Sequence, residues 1–214
     1  MVIAIDGPGG VGKSTVARRV AAAIGASYLN TGAYYRAATI AALDAGAPLD
    51  DPEAVTAAVA AAEYAFVGEH MLLDGRDVSE RSRSPEVTGA VSIVSAIPGV
   101  RALMVACQRR WVAERGGRAV VEGRDIGTVV FPDAAVKVFL TASETERARR
   151  RAGDREAAGL DVGSIAEALR RRDHIDSTRE TSPLTAADDA VTIDTTTYGA
   201  EAVIAIVLGL VDPA

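Results

Sequence analysis

The stretch Val2-Ile3-Ala4-Ile5-Asp6-Gly7-Pro8-Gly9-Gly10-Val11-Gly12-Lys13-Ser14 decides the fold. Its first four residues are an apolar run that reads as a buried strand. Gly7 to Ser14 match G-x-x-x-x-G-K-[ST] in full. The placement matters as much as the letters, because a phosphate cradle needs a strand feeding a tight glycine turn that opens onto a helix N-terminus. Glycines let successive backbone N–H groups converge on phosphate oxygens with no Cβ in the way. A helix starting near Lys13 adds the positive end of its dipole. In the usual roles Lys13 reaches the β- and γ-phosphates and the Ser14 hydroxyl holds Mg²⁺, so Gly7, Pro8, Gly9, Gly10, Val11, Gly12, Lys13, Ser14 and the adjoining Thr15 are the candidate triphosphate-binding residues.

Gly7, Gly9 and Gly12 also spell G-x-G-x-x-G, the dinucleotide fingerprint, which calls for an acidic residue roughly 20 positions on. The chain offers Asn30-Thr31-Gly32 after the next apolar stretch, and only the phosphate-loop reading explains Lys13-Ser14.

The remaining composition narrows the class. A chain of 214 residues, 49% hydrophobic and 24% charged, suits one well-buried domain with a small insertion. Met1 leads straight into the strand pattern with no basic segment, so no signal peptide is expected. The late apolar run Ala202 to Val211 is half of what a bilayer requires and reads as a core-packed helix. A single cysteine, Cys107, allows no intrachain disulfide, fits a reducing cytoplasm and reads as a small core residue in a helix. The net charge of −6 argues against a general nucleic-acid binder. Of the 23 basic residues only Lys13 and Lys137 are lysines, and arginine's planar fork suits bidentate phosphate contacts.

Strand and helix patterns alternate along the chain. Strands are expected at Val2–Ile5, Ser27–Leu29, Arg118–Glu122, Ala135–Leu140 and Ala190–Ile193. Helices are expected at Lys13–Ile24, Ala33–Ala45, Pro85–Val94, Pro98–Arg115, Ser143–Gly153 and Val162–Asp173, with a last one from Gly199 and another starting at Asp51-Pro52-Glu53. The near-continuous apolar strands imply a parallel sheet covered by helices on both faces. Tyr64–Val67 and Met71–Leu73, joined by Gly68-Glu69-His70, read as a hairpin that interrupts this alternation. No guanine-reading Asn-Lys-x-Asp motif occurs, which weighs against a GTPase.

Three further segments are distinctive: Thr31-Gly32-Ala33-Tyr34-Tyr35-Arg36, Glu122-Gly123-Arg124-Asp125-Ile126-Gly127-Thr128-Val129-Val130-Phe131-Pro132-Asp133, and Asp176-Ser177-Thr178-Arg179. With the loop at Gly7–Ser14 they resemble bacterial cytidylate kinases over nearly the whole chain. That resemblance implies a three-layer α/β fold of the P-loop NTPase type with a five-stranded parallel core sheet, a monophosphate-binding insertion at about 55–95 and a helical lid at about 146–179. It implies transfer of the ATP γ-phosphoryl group to CMP and dCMP with Mg²⁺, by a monomer in the cytoplasm without nucleic-acid or membrane partners. Arg36, Arg124 and Arg179 would clamp the acceptor phosphate with help from Thr31, and with Lys13 they form the candidate catalytic set. Ser92, Arg101 and Asp125 match the positions that read cytosine, and Arg172 and Asp176 those that hold the sugar. A carboxylate accepting from the cytosine N4 amino group would discriminate against uracil, which presents an oxygen there.

Plainer readings stand beside these. Arg36 could be a solvated helix residue, Arg101 a surface residue, Arg124 and Asp125 a local ion pair, and Arg172 with Asp176 an i,i+4 surface pair. The cluster Arg147, Arg149, Arg150 and Arg151 reads either as a solvated helix or as lid residues. In the lid reading Arg147 and Arg151 share a face and close over ATP, with Gly159 and Gly163 permitting motion. Glu122 ends a central strand, where it could orient the waters of magnesium. Two alternatives for function are another small P-loop kinase acting on UMP, AMP or shikimate, and a nucleotide-binding regulator without transfer activity.

Overall fold

A computed structural model describes residues 1–153 and 161–211. Asp154-Arg155-Glu156 and Gly159 of the expected lid lie outside the described residues. The chain runs β1 (Val2–Asp6), α1 (Lys13–Ile24), β2 (Ser27–Asn30), α2 (Thr31–Asp44), α3 (Pro52–Ala61), β3 (Tyr64–Val67), β4 (His70–Leu73), β5 (Arg76–Asp77), α4 (Pro85–Ala96), α5 (Pro98–Glu114), β6 (Ala119–Gly123), β7 (Val136–Thr141), α6 (Glu144–Ala152), α7 (Val162–Thr178), β8 (Val191–Asp194) and α8 (Ala200–Val211). These residues form two compact units: Met1–Asn30 with Trp111–Ala214, and Thr31–Arg110.

The first unit is built on a five-stranded parallel sheet in the order β2-β6-β1-β7-β8. β6 is buried along its whole length, as a central parallel strand covered on both faces must be. Ile3, Ile5, Val120, Val138, Leu140 and Ile193 of the sheet form one core with Val16, Ala17, Val20 and Ala21 of α1 and Val203, Ile204 and Val207 of α8. The apolar spacing of α1 thus becomes its buried stripe. α1 stops at Gly25, whose left-handed backbone (φ 62°) turns its N–H back onto the last carbonyls of the helix. α6 begins where Ser143 accepts the Glu146 N–H, a cap visible as Ser-x-x-Glu in the sequence.

The second unit carries a three-stranded antiparallel sheet, β3-β4-β5, with α2, α3, α4 and most of α5. The hairpin expected near 55–95 lies inside it. Tyr34 on α2 meets Phe66 on β3 edge-on, with ring centroids 5.3 Å apart. His70, expected in the turn, is the first residue of β4 and its Nδ1 lies 2.8 Å from an Asp77 carboxylate oxygen. Cys107, expected as a core residue, is only half-buried.

Two other differences bear on function. α7 was expected to end near Asp173 but continues through Thr178, so Asp176 stands on the helix and is buried. The buried positions of α7 change there from the apolar Ile165 and Leu169 to Asp176, which is paired with arginines, so apolar spacing does not mark the last turn. Second, the segment after Gly123-Arg124-Asp125 forms a single π-helical turn, Ile126–Val130, which no sequence period announces. Among the described residues no single helix is long and apolar enough to cross a membrane.

Candidate functional site

The loops at the carboxyl ends of parallel strands are where open α/β sheets bind ligands, and in the first unit the loops after β1 and β6 carry the chemistry. After β1, the phosphate loop turns at Gly7 with φ 144°. A Cβ there would collide with the Leu140 carbonyl oxygen of β7. A Cβ on Gly10 (φ 80°) would stand 2.9 Å from the Arg147 carbonyl oxygen of α6. Both positions therefore require glycine twice over, for backbone angle and for space.

Lys13 opens α1 and is almost fully buried, its Nζ donating to the Pro8 carbonyl oxygen at 2.6 Å. Burial, reinforced by the Arg124 guanidinium, lowers its pKa well below the ordinary lysine value, with Glu122 opposing. Ser14 is half-buried in the first turn of α1 and Thr15 is exposed. The loop is tied from outside as well. Arg147 donates to the Gly9 carbonyl at 3.3 Å and pairs with Asp173 of α7. Thr195, which follows β8, hydrogen-bonds the Val11 carbonyl at 3.1 Å, and Arg150 holds Thr195 through both its hydroxyl (2.8 Å) and its carbonyl (2.6 Å). Arg151 is half-buried in the last turn of α6.

After β6, Glu122 is buried and accepts a 2.5 Å hydrogen bond from the Tyr28 hydroxyl, with the Ser14 hydroxyl also within hydrogen-bonding reach of that phenol. Burial, then the Glu122 charge, raises the Tyr28 pKa, so the phenol stays protonated and keeps donating. Arg124 and Asp125 do not pair with each other. Arg124 Nε donates instead to Asp176 at 2.9 Å, and the Arg179 guanidinium approaches the Asp125 carboxylate at 4.0 Å and that of Asp176 at 3.7 Å. Arg172 lies 3.9 Å from Asp176, whose side chain is 5% exposed, so this is no surface pair. Three guanidiniums thus converge on one buried carboxylate. Burial alone would raise the Asp176 pKa, but Arg124, Arg172 and Arg179 outweigh it and hold it below the usual carboxylate range.

The second unit holds the other candidates. Thr31 begins α2 and is buried. Arg36 is fixed by the Ser82 carbonyl (2.5 Å) and the Thr88 hydroxyl (3.0 Å), which removes the reading of a loosely solvated residue. Arg101, 2% exposed, lies over the Tyr35 ring at 5.2 Å and donates to the Ser95 carbonyl at 3.0 Å, so it is not a surface residue either. Ser92 is buried on α4. A buried arginine retained against its desolvation cost marks a place where a guanidinium is wanted.

Comparison with known proteins agrees with this chemistry. A cytidylate kinase family model matches residues 3–212. The chain belongs to the cytidylate kinase family. It is 50% identical over 210 residues to the cytidylate kinase of Rhodococcus opacus, covering 95% of this chain and 91% of that one. It is 52% identical over 201 residues to that of Mycolicibacterium paratuberculosis, covering 91% and 88%. A solved structure of an uncharacterised protein from Eubacterium ventriosum shares the fold at 14% identity, with a TM-score of 0.52 over 100% of this chain and 99% of that one.

Arg150, expected only as one of a cluster of lid or solvated arginines, holds Thr195 instead, and sequence reasoning passed over Asp6 and Tyr28. Only Asp6 carried a signal, a charged residue closing a buried strand immediately before a glycine loop.

The Asp176 cluster makes an acid-sensitive contribution to stability. Its folded pKa lies below the unfolded value of about 3.9, so the stabilisation is complete above that value and is lost as pH falls through the folded one. Asp176→Asn, which leaves three guanidiniums facing a neutral amide, should cost on the order of 3 kcal/mol. In urea unfolding the gap from wild type should stay constant between about pH 5 and pH 8 and close below about pH 4. A gap independent of pH would show that the carboxylate charge is not what matters.

Proposed function

We propose that the protein transfers the γ-phosphoryl group of ATP to CMP and dCMP. Family membership carries the reading of a cytidylate kinase; the convergence of Arg124, Arg172 and Arg179 at the end of β6, beside the phosphate loop of the same unit, supports the assignment of roles. The loop amides, Lys13 and Arg147 bind the ATP phosphates, with Arg151 on the same helix. Arg36, Arg124 and Arg179 hold the acceptor phosphate with Thr31. Ser92, Arg101 and Asp125 read the base, and Arg172 and Asp176 the sugar. Two phosphate groups approach against mutual repulsion, so fixed guanidinium charges that need no reorganisation lower the barrier. The acceptor oxygen already carries negative charge, so no general base is required, and positioning does most of the work.

The residues present fit Mg²⁺. The Ser14 hydroxyl and the buried Glu122 carboxylate are hard oxygen donors, and the Tyr28 hydrogen bond fixes the orientation of the latter. Ser14 would hold the ion directly and Glu122 would orient its waters. Bound there, it would neutralise charge on the ATP phosphates.

A coupled assay across CMP, dCMP, UMP and AMP tests the assignment, and a preference for UMP or AMP would overturn it. ATP binding without CMP-dependent ADP formation would favour the regulator. Asp125→Asn presents an amide where a carboxylate should accept from N4, so the CMP-to-UMP ratio of kcat/KM should fall by about 10- to 100-fold. An unchanged ratio removes Asp125 from base reading.

A further inference from the structure

Asp125 directly precedes the turn Ile126–Val130, the position from which an aspartate ordinarily caps a helical turn by accepting its leading N–H groups. It does not cap this one. The first two donors are taken by a different carboxylate, 120 residues away in sequence. Asp6, the last residue of β1, accepts the Ile126 N–H on one oxygen and the Gly127 N–H on the other, both at 2.8 Å. Asp6 is 5% exposed, stands opposite Gly123 in the sheet, and is followed at once by Gly7, the first residue of the phosphate loop. The Asp125 backbone carbonyl accepts from Val129 and Val130, so its main chain belongs to the turn while its carboxylate faces the Arg179 guanidinium.

We propose that Asp6 is a positioning residue for base selection: by capping the turn in place of Asp125, it keeps the Asp125 carboxylate turned away from its own backbone and toward the nucleotide. This rests on the reading of Asp125 as the cytosine discriminator. Without Asp6 the two buried N–H groups would be left unsatisfied next to the side chain of the residue that precedes them, Asp125, and an unsatisfied buried donor is costly enough to draw that carboxylate in. The same contact joins the end of β1, from which the ATP loop starts, to the segment that carries Arg124 and Asp125, so donor and acceptor halves share one anchor. Burial, and then the Asp125 charge, raise the Asp6 pKa to about 6, against the pull of the two amides and Lys13.

Asp6→Asn keeps the shape but lets only one oxygen accept. The expected result is a fall of about tenfold or more in the CMP-to-UMP ratio of kcat/KM, with the KM for ATP changed less than about threefold. Combined with Asp125→Asn, Asp6→Asn should change that ratio less than about twofold further, because it acts through Asp125. An unchanged ratio in Asp6→Asn, or an effect undiminished in the double variant, overturns the inference. If Asp125→Asn alone leaves the ratio unchanged, the base-reading assignment fails and this inference with it; if only Asp6→Asn does so, this inference fails alone. The unmodified protein gives a measurement independent of folding in the variant: the Ile126 and Gly127 amide proton resonances should move together with a midpoint near pH 6. If the Asp6 carboxyl carbon titrates and neither amide follows it, the cap is refuted.

Discussion

Replacing Lys13 with methionine is expected to lower turnover by roughly 10³-fold or more while leaving the protein folded. Removing one preorganised charge from a site of developing negative charge typically costs 10²- to 10³-fold, and charges on the transferring phosphoryl group cost more. The structure adds a second expectation. The ammonium is nearly buried and faces the Arg124 guanidinium, so holding it charged is unfavourable for the protein standing alone. Its hydrogen bond to the Pro8 carbonyl offsets only part of that. The methionine variant should therefore unfold no more easily than wild type, and its melting temperature should equal or exceed it. Steady-state kinetics with ATP and CMP, set beside thermal unfolding, checks both halves. Wild-type turnover would remove Lys13 from the mechanism, and a large loss of stability would show that the ammonium is structural.

Gly7→Ala is expected to do the opposite, damaging stability and nucleotide binding together. A backbone at φ 144° is strained for any residue with a Cβ, and here that Cβ would strike the Leu140 carbonyl oxygen. The strand end and the loop would both have to shift within a close-packed sheet, at a cost of roughly 3 kcal/mol or more. Gly25→Ala is the control. Gly25 also has positive φ (62°), but a Cβ there meets nothing within 4 Å, so the cost should be limited to backbone strain of about 1 kcal/mol. Urea unfolding of the pair separates the two contributions. Equal losses would mean that the contact with β7 is unimportant.

The legibility of this chain in sequence follows from what makes each feature local. The phosphate loop could be read because every requirement on it, from strand to glycine turn to helix start, is met within thirteen consecutive residues. The central strands β1 and β6 were legible because burial on both faces leaves uninterrupted apolar runs, and the bounds of all five parallel strands lie within about one residue of those expected. The last five residues of α7 were not legible, since Asp176 is held there by Arg124 from the end of a distant strand and periodicity records nothing of that. The nearest sequence neighbour, Asp125, proved a poor guide to the partner of Arg124 for the same reason.

By itself, then, the sequence determined the donor side: a triphosphate loop, the parallel sheet that presents it, and, through three distinctive segments, the family. Those depend on short-range backbone chemistry and on apolar spacing, both written in consecutive residues. Only the tertiary structure decided how the charges are spent. It showed that Arg124 pairs with Asp176 rather than Asp125, that Arg36 and Arg101 are fixed rather than solvated, and that Asp6 caps a turn begun 120 residues later. Electrostatic and hydrogen-bond partners are chosen by proximity in space and by the cost of leaving a buried polar group unpaired, and sequence separation has no part in either.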